Sequence, residues 1–284
     1  MDEVLDVRAL RWLDACRRAV DRQRALLRGY DGGAASTAIA ASGAGGDVTL
    51  QIDSDFEKII IEEIQRSQPS SRDRALRIVT EELGTLDEGE GTDVDWVIID
   101  PVDGSKNAAQ GNPQFSLSVA VADGPTMADV WFGYVYDFGT NEEFVADHDG
   151  NVMVNGELLG AQATTPYRII AFESAEPALL VPGLTVLSTN GTQEIRVIGS
   201  IAIALCYVAT GRFDGLVTCK ECRSVDAAAG QLIARQAGCH VYFNGESPAT
   251  ADLDLASLYR LVAGRGPVGS RLLDVQATIP LVPR

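Results

Sequence analysis

Two carboxylates three residues apart, Asp100 and Asp103, lie in the run Trp96-Val97-Ile98-Ile99-Asp100-Pro101-Val102-Asp103-Gly104-Ser105. A hydrophobic strand would deliver Asp100 to its end, Pro101 would stiffen the exit, and Gly104 would let the chain turn closely, so that both side chains converge on one point. Such a pair attracts a hard divalent cation such as Mg²⁺. Asp-Pro-x-Asp-Gly is also an ordinary surface turn, so this segment alone leaves both readings open. Three other groups bear on the choice: Thr80-Glu81-Glu82 at the end of an upstream strand, Asp226-Ala227-Ala228-Ala229-Gly230 at the start of a late helix, and Thr49, Asp53 and Glu57, spaced four apart, leading into an early helix. Carboxylates gathered in one cleft repel strongly unless divalent cations neutralise them.

The elements that would position these groups follow from periodicity. Leu5 to Leu27 carries apolar residues at helical spacing among many charges, and its arginine-rich face reads as solvated surface. The Gly-, Ala- and Ser-rich segment 31–46 reads as a mobile loop, and a second helix is expected over Asp53–Arg66. Short β-branched runs at 77–80, 96–99, 115–121 and 130–136 read as strands, several ending at acidic or glycine-rich turns. Residues 139–156 have the turn chemistry of antiparallel hairpins. In the second half, a helix is expected over Ser200–Thr210, a strand near Leu216, a helix over Val225–Ala237 and a closing strand around Leu261–Ala263. No repeat appears, and no linker isolates independent domains. Mixed sheets layered with helices, an α+β or mixed α/β class, fit this order.

At this point the chain resembles the inositol monophosphatase family, whose motifs run in the same order: the Thr49/Asp53/Glu57 spacing, the Glu81-Glu82 pair, the Asp-Pro-x-Asp-Gly-Ser signature at 100–105, and the late Asp226-x-Ala-Ala-Gly helix start. The resemblance covers roughly residues 46–272. It is strongest to the archaeal-type branch of dual fructose-1,6-bisphosphatase/inositol-1-monophosphatases, through Trp131–Tyr136, the Asn155-Gly156 turn, Gly199-Ser200 before the Leu205-Cys206 helix, and Arg223–Gly230. It implies a layered αβαβα sandwich of the sugar-phosphatase type, with residues 1–280 as one phosphatase domain. About 1–160 would carry most ligands, and about 161–280 would carry Asp226. The implied metal ligands are Glu81, Asp100, the Val102 carbonyl, Asp103 and Asp226, holding two or three Mg²⁺ ions, with Mn²⁺ able to substitute and Li⁺ inhibiting. Glu81 and the Ser105 hydroxyl, the latter paired with Asp53, would orient and deprotonate the attacking water. Backbone N–H groups of Gly104 and Ser105 would hold phosphate oxygens.

Some positions depart from the family pattern. Val225 stands where the animal-type enzymes have tryptophan, which speaks against a strict inositol phosphate specialist. Lys106 replaces a small or apolar residue, and its amine could reach phosphate or point to solvent. No match to the inositol-contacting glutamate of the animal enzymes is evident between Asp214 and Asp226. Ser200 is a further candidate contact to substrate, and Arg196, Lys220 and Arg223 are candidates for a second phosphate. The implied reaction is hydrolysis of a small phosphorylated sugar or polyol, inositol 1-phosphate or fructose 1,6-bisphosphate, in a homodimer. The alternatives are a 3′-phosphoadenosine 5′-phosphate nucleotidase, a pathway-specific sugar or nucleoside phosphatase on the same scaffold, and a catalytically silent metal-binding protein. No aromatic pair able to sandwich adenine is evident around Asp226.

A chain of 284 residues with 46% hydrophobic content can bury a large core. Its net charge of −17, from 40 acidic against 23 basic residues, disfavours nucleic acid and anionic membranes as partners. No long uncharged apolar stretch and no basic leader at Met1-Asp2-Glu3 are evident, so a cytoplasmic location is expected. Five cysteines make a disulfide framework improbable. Cys219 and Cys222 form a CxxC that could be idle, redox-active or, with Cys239-His240, zinc-binding. Leu281–Arg284 reads as the remnant of a cleaved tag.

Overall fold

The computed structural model describes residues 5, 7–29, 39–42, 48–68, 74–162, 168–189, 191 and 194–281. The chain opens with α1 (Val7–Leu27), a short antiparallel pair β1 (Ile39–Ser42) and β2 (Val48–Leu50), and α2 (Gln51–Ser67). Strand β1 falls within the segment expected to be a loop: its backbone pairs with β2, and backbone pairing is a stabilisation that composition does not register. Residues 31–38 and 43–46 of that segment lie outside the described residues.

Next come β3 (Arg74–Thr80), β4 (Gly84–Glu88), β5 (Asp93–Asp103), α3 (Ser105–Ala109), β6 (Ser116–Ala122), β7 (Val130–Asp137), β8 (Glu142–Asp147), β9 (Val152–Val154) and β10 (Glu157–Leu158). They form an eight-stranded sheet in the order β10-β9-β8-β7-β6-β5-β3-β4, antiparallel except for the parallel β3–β5 pair. The last part contains β11 (Ile169–Glu173), α4 (Pro177–Thr189), β12 (Glu194–Arg196), α5 (Ile201–Ala209), β13 (Gly215–Thr218), β14 (Cys222–Arg223), α6 (Ser224–Gln236), β15 (Cys239–Phe243), β16 (Leu258–Tyr259), β17 (Leu261–Arg265) and α7 (Pro267–Thr278). Here a five-stranded mixed sheet runs β12-β11-β13-β17-β15.

The helices sort into layers by what they bury. Trp12, Leu13 and Cys16 of α1 and Ile60 and Ile64 of α2 pack with Ile78, Val97, Ile99 and Tyr134 on one face of the large sheet. On its other face Val79, Ile98, Ala120 and Phe144 meet α5 and α6, whose opposite sides join Leu216, Val241 and Ala263 of the small sheet in the same core. The far face of the small sheet, with Phe172 and Val217, is covered by Leu179 and Leu187 of α4 and Leu272 and Val275 of α7. The order is therefore α, β, α, β, α. Strands with one helix layer on each face are buried on both sides, which is why β6 and β7 read as continuous apolar runs rather than alternating ones.

The middle layer is thin because α6 begins with small residues. Ala227, Ala228, Ala229 and Gly230 are all buried. A Cβ on Gly133 of β7 would come 2.9 Å from the Ala229 carbonyl, and one on Gly230 would come 2.8 Å from Leu205 of α5. Helix and sheet thus approach more closely than side chains would allow. Helices α4 and α7 carry no expectation from sequence. Pro182 sits inside the apolar, weakly amphipathic α4, and α7 begins after a glycine in an unusual backbone conformation, Gly266.

Candidate metal centre

Three elements end at one place. Strand β3 terminates at Thr80, so Glu81 is the first residue of the following turn. Its parallel neighbour β5 runs in register beside it, Thr80 opposite Ile99, and therefore brings Asp100 to the same level. Helix α6 points its first turn there and contributes Asp226. One carboxylate oxygen from each of Glu81, Asp100 and Asp226 lies within 4.8 Å of the others, and these three form the one such group among the described residues.

Carboxylates this close in a buried place resist ionisation. Burial pushes Glu81 up to about 8, reinforced by the charge of Asp226 and opposed by Arg223. Asp100, 2% exposed, is driven well above the ordinary carboxylate range by burial and by Glu81, Asp103 and Asp226. Its Oδ1 accepts the Val102 N–H at 3.0 Å, which closes the Asp-Pro-Val turn. An all-oxygen donor set with too much negative charge suits a hard divalent cation, and the residues present fit that group.

Asp103 lies close enough to feel the charge of Asp226, and both of its oxygens are held by the start of α5. Its Oδ2 accepts Ser200 Oγ–H at 2.5 Å and Ala202 N–H at 2.7 Å, and its Oδ1 accepts Ile201 N–H at 3.3 Å, so it caps α5. Burial and Asp226 raise it to about 7 against those donors. Ser200, proposed from sequence as a substrate contact, is 1% exposed and also accepts the Ile203 N–H. Gly104 has φ of +96°, and a Cβ there would meet the Gln114 carbonyl at 2.8 Å, so the turn into α3 requires glycine.

The structure does not form the expected Asp53–Ser105 pair. Asp53 gives one carboxylate oxygen to the Leu50 N–H at 3.0 Å at the start of α2, its other oxygen is buried without a hydrogen-bond partner, and burial raises it to about 7. Ser105 is the first residue of α3 and half-buried. Lys106 is exposed on the same helix. Arg196 is exposed and pairs with Glu194 on β12, and Lys220 pairs with Glu176. Arg223, a candidate for a second phosphate, is instead 5% exposed and donates Nη1–H to Glu81 at 2.5 Å. An arginine at the base of a carboxylate cluster finds its countercharge inside the protein, which spacing alone could not indicate.

Two carboxylates unassigned by sequence reasoning organise the surroundings. Glu57 of α2, 2% exposed, accepts Thr80 Oγ1–H at 2.5 Å and the N–H groups of Glu82 and Leu83 at 3.2 and 3.1 Å, and so shapes the turn that presents Glu81. Its place in the four-residue spacing was visible, its partners were not. Glu173 at the end of β11 is fully buried, accepts the N–H groups of Ile198 and Gly199, and is pushed up to about 8 by burial. All five cysteines are free and buried, burial raises Cys219 to about 11 and Cys222 well above the usual thiol range, and neither joins a metal-binding group among the described residues.

Comparison with known proteins agrees with this geometry. A profile described as the inositol monophosphatase family matches residues 19–272. A fructose-1,6-bisphosphatase/inositol-1-monophosphatase of Archaeoglobus fulgidus is 33% identical over 211 residues, 72% of this chain and 77% of that one. A protein of Pasteurella multocida named Nus factor SuhB is 37% identical over 213 residues, 70% of this chain and 73% of that one. Among solved structures, an inositol monophosphatase-fructose 1,6 bisphosphatase superposes with a TM-score of 0.77 at 22% identity, covering 94% of this chain and 99% of that chain. A Thermotoga maritima IMPase gives 0.71 at 24%, covering 93% and 96%.

Proposed function

The chain belongs to the inositol monophosphatase family, and from that membership we propose that it is a Mg²⁺-dependent phosphomonoesterase acting on a small phosphorylated sugar or polyol, with inositol 1-phosphate and fructose 1,6-bisphosphate as the leading candidates. The observation that carries this reading is the convergence of Glu81, Asp100 and Asp226 within 4.8 Å at the joint ends of two parallel strands and a helix.

Glu81, Asp100, Asp226, the Val102 carbonyl and Asp103 would hold the cations. When bound, these would neutralise the cluster, offset the charge of the phosphoryl group and make a neighbouring water more acidic. The protein's own groups do the remainder. Glu81, with Arg223 fixing one of its oxygens, would take the proton of the attacking water, and Ser105 would orient that water. The water oxygen forms the new bond to phosphorus as the ester P–O bond breaks, and the alcohol leaves with a proton, giving inorganic phosphate. Backbone N–H groups of Gly104 and Ser105 would hold phosphate oxygens during the displacement. Val225, 1% exposed and part of the core, stands where the animal-type enzymes have tryptophan, which favours tolerance of more than one polyol. Homodimeric assembly, a cytoplasmic location, inhibition by Li⁺ and replacement of Mg²⁺ by Mn²⁺ belong to the same proposal.

The test is phosphate release with and without Mg²⁺ from inositol 1-phosphate, fructose 1,6-bisphosphate, 3′-phosphoadenosine 5′-phosphate and amino-polyol phosphates. Release from the first two, abolished by excess EDTA, is expected. Preference for the nucleotide would assign the nucleotidase activity instead, and release from none would leave a metal-binding protein without catalysis.

A further inference from the structure

The stretch Ile198–Ser200 lies between β12 and α5 and meets Asp103 through Ser200, and its backbone is held from two sides. Glu173, in the last position of β11, takes the Ile198 N–H on one carboxylate oxygen at 3.0 Å and the Gly199 N–H on the other at 2.8 Å. Asn107 of α3 donates its Nδ2–H to the Ile198 carbonyl at 2.9 Å and to the Gln114 carbonyl at 2.7 Å. Gly199 has φ of +84°, and a Cβ there would come 2.9 Å from Asn107 Nδ2, so α3 lies directly against the turn. The next residue, Ser200, and the N–H groups of Ile201 and Ala202 then hold Asp103.

We propose that Glu173 is a positioning residue that, together with Asn107, fixes the Ile198–Ser200 turn and through it the orientation of Ser200 and Asp103 beside the acid cluster. A fully buried carboxylate is unfavourable unless its oxygens are matched by donors. Packing alone would be served by an apolar residue. Two oxygens facing two successive backbone N–H groups suit a different task, which is to fix the direction in which a turn leaves. Glutamine offers one acceptor and sets an N–H against an N–H, so it keeps the volume and loses the fit. Glu173 is not one of the three converging carboxylates. Its loss therefore leaves those three in place to bind a cation and acts on Asp103, whose displacement loosens how cation and phosphate are held together.

The kinetic arm of the test rests on the phosphatase reading, and the exchange arm does not. Glu173→Gln, Glu173→Ala and Asn107→Ala are compared with the wild type in Mg²⁺. Amide hydrogen exchange is read at Ile201 and Ala202, which donate to Asp103 and do not touch Glu173. Exchange there is expected to quicken about tenfold in Glu173→Gln and in Asn107→Ala, as loss of a hydrogen bond to a charged or buried partner implies. The KM for whichever phosphomonoester the wild type hydrolyses is expected to rise about tenfold, with kcat within about threefold. The Mg²⁺-dependent rise in melting temperature is expected to persist. The double variant Glu173→Gln/Asn107→Ala is expected to raise KM no more than the worse single change, because both hold one peptide unit. Unchanged exchange at Ile201 and Ala202, or a loss confined to kcat, or additive effects on KM, would overturn the proposal. If Glu173→Ala does not fold, the two milder variants decide the matter. If the wild type releases no phosphate, the functional reading fails and the exchange result still stands or falls by itself.

Discussion

Replacing Asp100 by asparagine removes the central charge of the cluster while keeping its shape, and it should separate catalysis from folding. Like charges no more than 4.8 Å apart repel by at least about 3.5 kcal/mol per pair at an effective dielectric of about 20. Proton uptake and the Arg223 cation relieve most of this in the metal-free protein, leaving about 1–2 kcal/mol for Asp100→Asn to recover. At about 2–4 °C per kcal/mol for a chain of this size, the metal-free variant should melt roughly 2–8 °C above the wild type. Mg²⁺ at a hundred times its Kd should stabilise the wild type by about 2.7 kcal/mol, a shift of roughly 5–11 °C, and the variant by much less. Thermal melts in EDTA and across a Mg²⁺ titration, with phosphate release on the same samples, measure both properties. Asp87→Asn is the control, because Asp87 is an exposed partner of Arg77 on β4, away from the cluster, and such pairs contribute under about 1 kcal/mol. Turnover above about a tenth of wild type in Asp100→Asn, a loss of under about 1.4 kcal/mol, would refute the role given to Asp100, as would an unchanged response to Mg²⁺.

The raised carboxylates make the metal-free protein sensitive to alkali: Glu81 at about 8 and Asp53 and Asp103 at about 7, against ordinary values of 4.5 and 3.8, contribute stability that is full at acid pH and lost as pH rises through 7 and 8. Melting temperature in EDTA should therefore fall between pH 6 and 8.5 and stay nearly level in saturating Mg²⁺; parallel slopes would contradict the clustering. Glu57→Gln should lower turnover about tenfold or more with the fold retained, since it disturbs three hydrogen bonds that shape the turn before Glu81; circular dichroism and initial rates on one preparation check this. Arg223→Ala should lower turnover of fructose 1,6-bisphosphate and inositol 1-phosphate by the same factor, because Arg223 is spent on Glu81; a loss confined to the bisphosphate would show that it reads the second phosphate.

What could be foreseen from sequence divides along a physical line. Strands β3, β5, β6 and β7 and helices α1, α2, α5 and α6 announce themselves by periodicity or apolar runs, and with them the strand and helix ends that bring Glu81, Asp100 and Asp226 together. Family order added the layering. Contacts between a side chain and a distant backbone leave no such trace. Glu57 and Glu173 look like any acid in a helix or strand, and only the fold supplies the N–H groups they accept from. Arg223 shows the same limit, since a basic residue near an anion site has no mark that distinguishes a ligand contact from an internal ion pair. Strand β1 was hidden by glycine and serine neighbours, and α4 by its proline and weak amphipathicity.

The small residues that thin the middle layer divide the molecule into parts with very different freedom to change. Asp226 rides on α6, and α6 is seated against β7 through Gly133 and Ala229 and against α5 through Gly230 and Leu205. A methyl group added at Gly133 or Gly230 would lift the helix and carry Asp226 away from Glu81 and Asp100, although neither glycine is among the three. Lineages descending from such a chain can rework the turn around Lys220, which touches none of the glycine contacts of that seat. Thickening the helix layer has no comparable escape, because it would have to move two sheets at once. New specificities on this scaffold are therefore to be sought in its loops, because added volume at Gly133 or Gly230 is felt at the acid cluster.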